Sequence, residues 1–452
     1  MRFYTRLFLY RARRLRQKFH DFHETTGSRR KAAVFLLSFM RQRMGHFIHH
    51  LRWRWRAREV SQHIALGSDP SRPYLSVKVT GGIGDYVLAA RFLRDLAAQI
   101  EPFTFDIYCN NIEAAHWIFT TVPGFQGAFS EFLFEHFLPR YDVGLWLSQF
   151  IVVYQEAMRR KTLREFPKLA TLVQNVLRYR PRIEMFIARH PNLDNFLARK
   201  FVYSNWTRNQ CVHGMAKIRK GPDTLPLETD ESVLAELGLA RQPYLTIHNG
   251  FDPDMVVMGP SATKCYPHFE EVVRQIKAAL PDITIIQIGT STSTPIPGVD
   301  HDLIGRTTLR QAAALLKEAV WHIDGESGLV HMARSLDTCA TVVFGPTPVD
   351  YFGYAGNINI PPATCGGCWW ITETWMALCP RGLAKPACME QAPAVIAEAT
   401  IAAMRAKLAT ANRPPNFAAP GEVEHSLVNG LKGQDATVTN MFTYFRPRED
   451  QR

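Results

Sequence analysis

The sequence predicts an α/β protein, with two units of parallel strands covered by helices behind a basic N-terminal extension. Three observations predict it. A strand, a glycine loop, a helix and a second strand follow one another between residues 74 and 108. The same alternation restarts at Tyr244 and runs to Phe344. The charge is segregated from both. Residues 1–60 hold 16 Lys or Arg against 3 Asp or Glu, a net of +13, while the rest hold 37 and 38, a net of −1. At 452 residues and 46% hydrophobic, the chain can bury two cores.

In chain order, residues 1–70 read as a basic, helical extension. Trp53 and Trp55 alternate with Arg52, Arg54 and Arg56, and Phe3, Tyr4, Leu7, Phe8 and Leu9 lie among arginines. Such a segment suits an anionic membrane surface, where each nearby Lys or Arg contributes ~1 kcal/mol. The plainer reading is a solvated arm. Nucleic acid is an unlikely partner, because the remaining chain carries no matching basic excess. No run reaches the ~18 apolar residues of a membrane span. Ala32 to Met40 is too short, and Arg11, Arg13, Arg14, Arg16 and Lys18 break any secretory-signal pattern. The expected location is therefore the cytoplasm, peripheral to the inner membrane if the arm binds lipid.

Tyr74 to Val79 reads as a strand, Thr80-Gly81-Gly82-Ile83-Gly84-Asp85 as a glycine loop, Tyr86 to Ile100 as a helix and Phe103 to Tyr108 as a strand. Residues 71–225 make the first unit, and 150–215 look mostly helical. Gly214 to Gln242, rich in Gly and Pro, is the linker. The second unit, 240–390, has strands at Tyr244–His248, Ile283–Ile288, Val320–Ile323 and Cys339–Phe344. Its helices fall at Phe269–Leu280, Leu309–Glu318 and Leu329–Leu336. A C-terminal helix spans 391–411, and 412–452, dominated by Pro, Asn, Gly and Thr, reads as a mobile tail.

Three places could carry chemistry. Gly81, Gly82 and Gly84 allow a tight turn and close approach, and Asp85 opens the following helix. There it could cap the helix or act as a general base. A dinucleotide fingerprint fits poorly, because Val87 stands where glycine or alanine is needed. Asp324-Gly325-Glu326-Ser327-Gly328-Leu329-Val330-His331 joins a strand to a helix, so its N–H groups could cradle a diphosphate. Glu326 could accept from sugar hydroxyls, and His331 could reach a phosphate or pack against the sheet. Lys264, before Cys265-Tyr266-Pro267, could neutralise a phosphate leaving group.

Taken in order, Gly-Gly-Ile-Gly-Asp85, Lys264 to Pro267, Asp302-Leu303-Ile304-Gly305-Arg306-Thr307-Thr308-Leu309, Gly325 to His331 and Phe344-Gly345-Pro346-Thr347 resemble the heptosyltransferases of glycosyltransferase family 9. The resemblance covers about 74–400 and is strongest over 300–350. It implies a GT-B fold, two Rossmann-like domains facing a cleft, and inverting transfer from ADP-heptose with no catalytic metal. It makes Asp85 the base and Lys264 a diphosphate contact. Gly82, Gly84, Glu326, Ser327, Gly328 and His331 then shape the donor pocket, and Thr307 lies near the base of the nucleotide. The implied acceptor is lipopolysaccharide core, with a protein acceptor or a changed donor sugar as alternatives. A scaffold that binds a nucleotide sugar without catalysis is the non-enzyme alternative. The chain departs from the family at Glu326, where Asp is usual, and in a longer loop from Asn249 to Thr263.

Cys365, Cys368, Cys379 and Cys388 follow a C-x2-C-x10-C-x8-C pattern. Four thiolates in a cytoplasmic chain suit a tetrahedral structural metal rather than disulfides, with reduced thiols as the alternative. The cluster is similar to the four-cysteine iron finger of the family branch that glycosylates autotransporters. Sulfur ligands suit iron and zinc alike.

Overall fold

A computed structural model describes residues 57–69, 71–155, 158–179, 207–239, 242–251, 262–372 and 374–411, with parts of 15–56. Trp53 and Trp55, most of the Asn249–Thr263 loop, residues 180–206 and the expected tail 412–452 lie outside them. Residues 1–408 form one compact unit. A second begins at Ala409, and only the end of a helix is described in it.

The first sheet contains β1 (Tyr74–Val79), β2 (Thr104–Cys109), β3 (Phe125–Ser130), β4 (Val143–Leu147) and β5 (Ile151–Val153), in the order β3-β2-β1-β4-β5. β1 to β4 run parallel, and β5 returns antiparallel on β4. β1 is central and almost wholly buried, as its near-continuous apolar sequence requires. Two helices flank this sheet region early in the chain: α1 (Ala57–Gly67) and α2 (Ile83–Ala97). α1 sits inside the expected extension, yet it packs on the first sheet. Val60 and Ile64 are buried with Tyr74, Tyr108 and Tyr141, and His63 Nε2 lies 3.0 Å from Asp106 Oδ1. α2 starts three residues before the apolar spacing predicts. Asp85 Oδ2 accepts the Gly82 N–H at 2.9 Å, so Gly82 ends the loop and Ile83 is already helical. Further along come α3 (Ile112–Phe119), α4 (Pro167–Leu177) and α5 (Arg208–Ala216). Thr207 and Gln210 start α5 through a capping box.

The second sheet contains β6 (Tyr244–Ile247), β7 (Thr284–Gly289), β8 (His301–Ile304), β9 (Trp321–Gly325), β10 (Ala340–Val343) and β11 (Ile358–Ile360), in the order β11-β10-β9-β6-β7-β8. Every pairing is parallel. Its helices include α6 (Phe269–Ala279), α7 (Leu309–Glu318) and α8 (Gly328–Ser335), and α9 (Pro393–Ala411) follows. The expected strands and helices of this unit are all present, shifted by one or two residues at their ends. β8 and β11, half-exposed and short, were not expected.

Both sheets are Rossmann-like, and the architecture is of GT-B type. Each has a switch point where the chain leaves neighbouring strands in opposite directions: β1/β4 in the first sheet and β6/β9 in the second. Ligands of open α/β sheets bind outside the carboxyl ends of such strand pairs. One apolar cluster runs through both halves, taking Val87 and Leu96 of α2 with Val330, Met332 and Ala333 of α8. α2 and α8 touch at two glycines. A Cβ on Gly84 would come within 2.6 Å of His331 Cδ2, and one on Gly328 within 2.3 Å of Ile83 Cγ2. Arg91, 2% exposed, clasps the contact by donating to Tyr354 Oη (2.8 Å), Ser335 Oγ (2.7 Å) and the His331 carbonyl (3.1 Å). Among the described residues, no helix is long and apolar enough to cross a membrane.

Candidate active site

The two switch points meet. The β1/β4 side contributes Asp85, at the third position of α2, and Gln149, just after β4. One carboxylate oxygen of Asp85 caps its helix. The other, Oδ1, accepts from Gln149 Nε2 at 3.4 Å and from the Arg208 guanidinium. Capping and presentation of a carboxylate therefore coexist in one side chain. Gln149 is oriented in turn, because Tyr351 Oη donates to its Oε1 at 3.3 Å.

The β6/β9 side contributes Lys264, Glu326, Ser327 and His331. Lys264 Nζ donates to the Glu326 carbonyl at 2.6 Å and lies 3.7 Å from its Oε2. Burial pushes the Glu326 carboxyl up, but Lys264, His331 and Arg208 outweigh it and hold it at about 2. Ser327 caps α8, its Oγ accepting from the Leu329 N–H at 3.1 Å while donating to Asp324. Asp324 is wholly buried. Burial raises its carboxyl, yet His248 (2.8 Å) and His322 (3.3 Å) bring it down to about 2. The strand end carrying the second loop is thus pinned from below by a buried carboxylate with three donors. His331 has Nε2 3.2 Å from Arg208 Nη1 and Nδ1 2.6 Å from Tyr354 Oη. The tautomer with its proton on Nδ1 satisfies both contacts. Burial, aided by Arg208 and Arg91, lowers the His331 pKa against the pull of Glu326, so the ring is neutral.

Asp85, Lys264, Glu326, Ser327, Gly328 and His331, expected from the sequence to act together, therefore converge. Gly82 and Gly84 lie in the same place, but Gly84 serves the contact between α2 and α8. Thr307, itself half-buried, stands farther out, in the exposed turn after the edge strand β8. Gly305 packs that turn against Ser291, on the carboxyl side of the sheet. A groove in the second half is lined by Asn249, Cys265, Tyr266, Pro267, Thr294 and Ile296.

Arg208 was not expected. It is 7% exposed, opens α5, and places its guanidinium over the Phe352 ring at 5.3 Å. Burial disfavours its charge, but Asp85 and Glu326 together raise its pKa above the ordinary value. The capping box of Thr207 and Gln210 could have located the helix start in the sequence. Nothing local says that the first residue of that helix faces Asp85, 123 positions away.

None of the eight cysteines is in a disulfide. Burial pushes the Cys388 thiol up to about 12, with the neighbouring Cys368, Cys365 and Cys379 adding to the shift. Each of the other three thiols thus acts on Cys388. Among the described residues, however, no group of three or more His, Cys, Asp or Glu is arranged to hold a metal ion.

Comparison with known proteins agrees with the family expected from the motifs. Solved structures similar to this chain include Escherichia coli ADP-heptose lps heptosyltransferase II (16% identity, 74% of this chain and 99% of that one, TM-score 0.46). The iron-containing dodecameric glycosyltransferase TibC from enterotoxigenic E. coli is also similar (14%, 75% and 77%, TM-score 0.45). So is the glycosyl transferase family 9 structure from Veillonella parvula (12%, 75% and 97%, TM-score 0.41). No curated protein matches the sequence. Residues 231–361, which contain Lys264, Thr307, Glu326, Ser327, Gly328 and His331, match the family described as glycosyltransferase family 9 (heptosyltransferase). The chain thus carries a glycosyltransferase family 9 domain over residues 231–361, and it is a glycosyltransferase.

Proposed function

We propose that the protein transfers heptose from ADP-heptose to an acceptor hydroxyl with inversion. The observation that carries this reading is the convergence of Asp85 from one switch point with Lys264, Glu326 and the start of α8 from the other. Asp85 Oδ1 takes the proton of the acceptor hydroxyl as its oxygen attacks the anomeric carbon. The glycosidic bond to phosphate breaks on the opposite face, and ADP leaves. Lys264 and the N–H groups at Ser327 and Gly328 meet the charge that develops on the diphosphate. Glu326 holds sugar hydroxyls. The nucleoside lies along the carboxyl edge of the second sheet, near Thr307 and the groove at Tyr266. No catalytic metal takes part, because protein cations and helix N–H groups serve the leaving group. A panel of nucleotide sugars tests the donor by thermal shift followed by donor turnover. Stabilisation by ADP-heptose alone supports the reading, and preference for a UDP- or GDP-sugar removes heptose.

The acceptor follows from location. The reading is a lipopolysaccharide-type acceptor at the cytoplasmic face of the inner membrane. It is supported by the basic residues of 1–60 and by a helical stretch carrying exposed Val34, Leu37, Met40 and Met44 beside Arg29, Arg30, Lys31 and Arg41. Flotation with anionic against neutral vesicles tests it. A protein acceptor is the second reading, favoured by the cysteine cluster.

Cys365, Cys368, Cys379 and Cys388 are read as ligands of a structural iron or zinc. Four soft sulfur donors, three of which act on the fourth at Cys388, suit either ion. A metal there would fasten this segment beneath Gly345 and take no part in transfer. Metal content of the purified protein, against a variant with Cys365 and Cys368 changed to Ser, tests it.

A further inference from the structure

Four ionised side chains meet in the cleft and cancel in two pairs, Asp85 with Arg208 and Glu326 with Lys264. All four are largely or wholly buried, and His331 between them is neutral. The cleft therefore holds no spare positive charge among these groups. A nucleoside-diphosphate sugar brings roughly two negative charges, and desolvated phosphates need paired donors. Among the described residues that meet here, the cations placed to face them are the two already engaged with carboxylates.

Lys264 was expected at the diphosphate. Arg208 has the geometry to join it. One end of its guanidinium holds Asp85, the other faces His331 at the first turn of α8, and Glu326 lies close enough to raise its pKa. Its Nε is buried and has no hydrogen-bond partner among the described residues. An arginine fork matches phosphate oxygens as well as it matches a carboxylate. The diphosphate and Asp85 thus compete for one guanidinium.

We propose that Arg208 is a shared counter-ion that couples donor binding to the base. In the structure it neutralises Asp85. In the donor complex it turns to the diphosphate, and Asp85 loses its ionic partner and becomes able to accept a proton. The donor then binds before the acceptor is activated, so a base without its donor stays masked. Arg208 acts on the proton transfer as a positioning residue, through Asp85. This inference rests on the reading of the cleft as a nucleoside-diphosphate-sugar site.

The test is a double-mutant cycle on ADP affinity, measured calorimetrically on the full chain without acceptor. Arg208→Gln should weaken ADP roughly tenfold or more. Asp85→Asn should tighten ADP, by roughly three- to tenfold, because the competitor for Arg208 is gone. In the Arg208→Gln background Asp85→Asn should change affinity by less than about twofold. A purely structural role for Arg208 would not make loss of the base improve nucleotide binding. Unchanged or weaker ADP binding in Asp85→Asn overturns the proposal, as does tightening that survives in full without Arg208. If Arg208→Gln does not fold, Arg208→Lys enters the same cycle, keeping the charge but losing the fork. Failure of the wild-type protein to bind ADP at all would instead remove the donor reading, and this inference with it.

Discussion

The two glycine loops of the cleft solve the same local problem differently. Each joins a central strand to a helix, and each helix start has N–H groups without partners. In the first loop Asp85 caps its own helix with one oxygen and offers the other to the cleft. In the second, Ser327 does the capping, itself held by buried Asp324, and Glu326 remains free of that duty. The first loop therefore couples the position of its carboxylate to the integrity of α2. The second separates the two tasks. The proposed role of Asp85 as a base asks that it be held close to a hydroxyl, and its place at a helix terminus suits that role. The role proposed for Glu326, accepting from sugar hydroxyls, makes no such demand.

The contact between the loops can be broken at graded cost. Arg91→Ala, which removes a buried cation from Asp223, Tyr354 and Ser335, should destabilise the protein by about 3–5 kcal/mol in denaturant unfolding. Gly84→Ala should cost about 1–3 kcal/mol, because the new methyl strikes the buried His331 ring. Ser327→Ala should cost about 1 kcal/mol as a lost cap and leave Asp324 short of one donor.

The two halves should also answer pH in opposite senses. In the second half His331 has a lowered pKa, so the unfolded chain gains a proton that the folded chain refuses as pH falls below about 6.5. The depressed Glu326 and Asp324 add stability above the ordinary carboxylate range. That stability is lost as pH falls toward about 2. In the first half, the hydrogen bond that His63 donates to Asp106 raises the His63 pKa against burial. That contribution is complete below about 6.5 and is lost as pH rises through the raised value. Hydrogen exchange across pH should show α8 loosening in acid and α1 loosening in mild base. Parallel behaviour of the two would contradict the assigned pairings.

The second half was the more legible in sequence. Its central strands are fully buried, so ITIIQI and its neighbours stand out as short apolar runs between turn residues. In the first half β3, β4 and β5 went unread. FQGAFS is an edge strand broken by glycine, and β5 has only three residues. α1 was read as part of a solvated or membrane-bound arm, since its buried residues, Val60 and Ile64, are few and its partners lie far along the chain. Of the site, Asp85, Lys264, Glu326 and His331 were legible because each sits at a strand-to-helix loop with a recognisable pattern. Arg208, Gln149, Arg91 and Tyr354 were not. Each acts through a contact set by the meeting of two sheets, which no local spacing encodes.

The most direct test of the account is the rate of sugar transfer from ADP-heptose by Asp85→Asn, with its fold checked by circular dichroism. The account predicts a fall of about 10²–10⁴-fold with nucleotide binding retained. A folded Asp85→Asn protein that transfers sugar at close to the wild-type rate would contradict it.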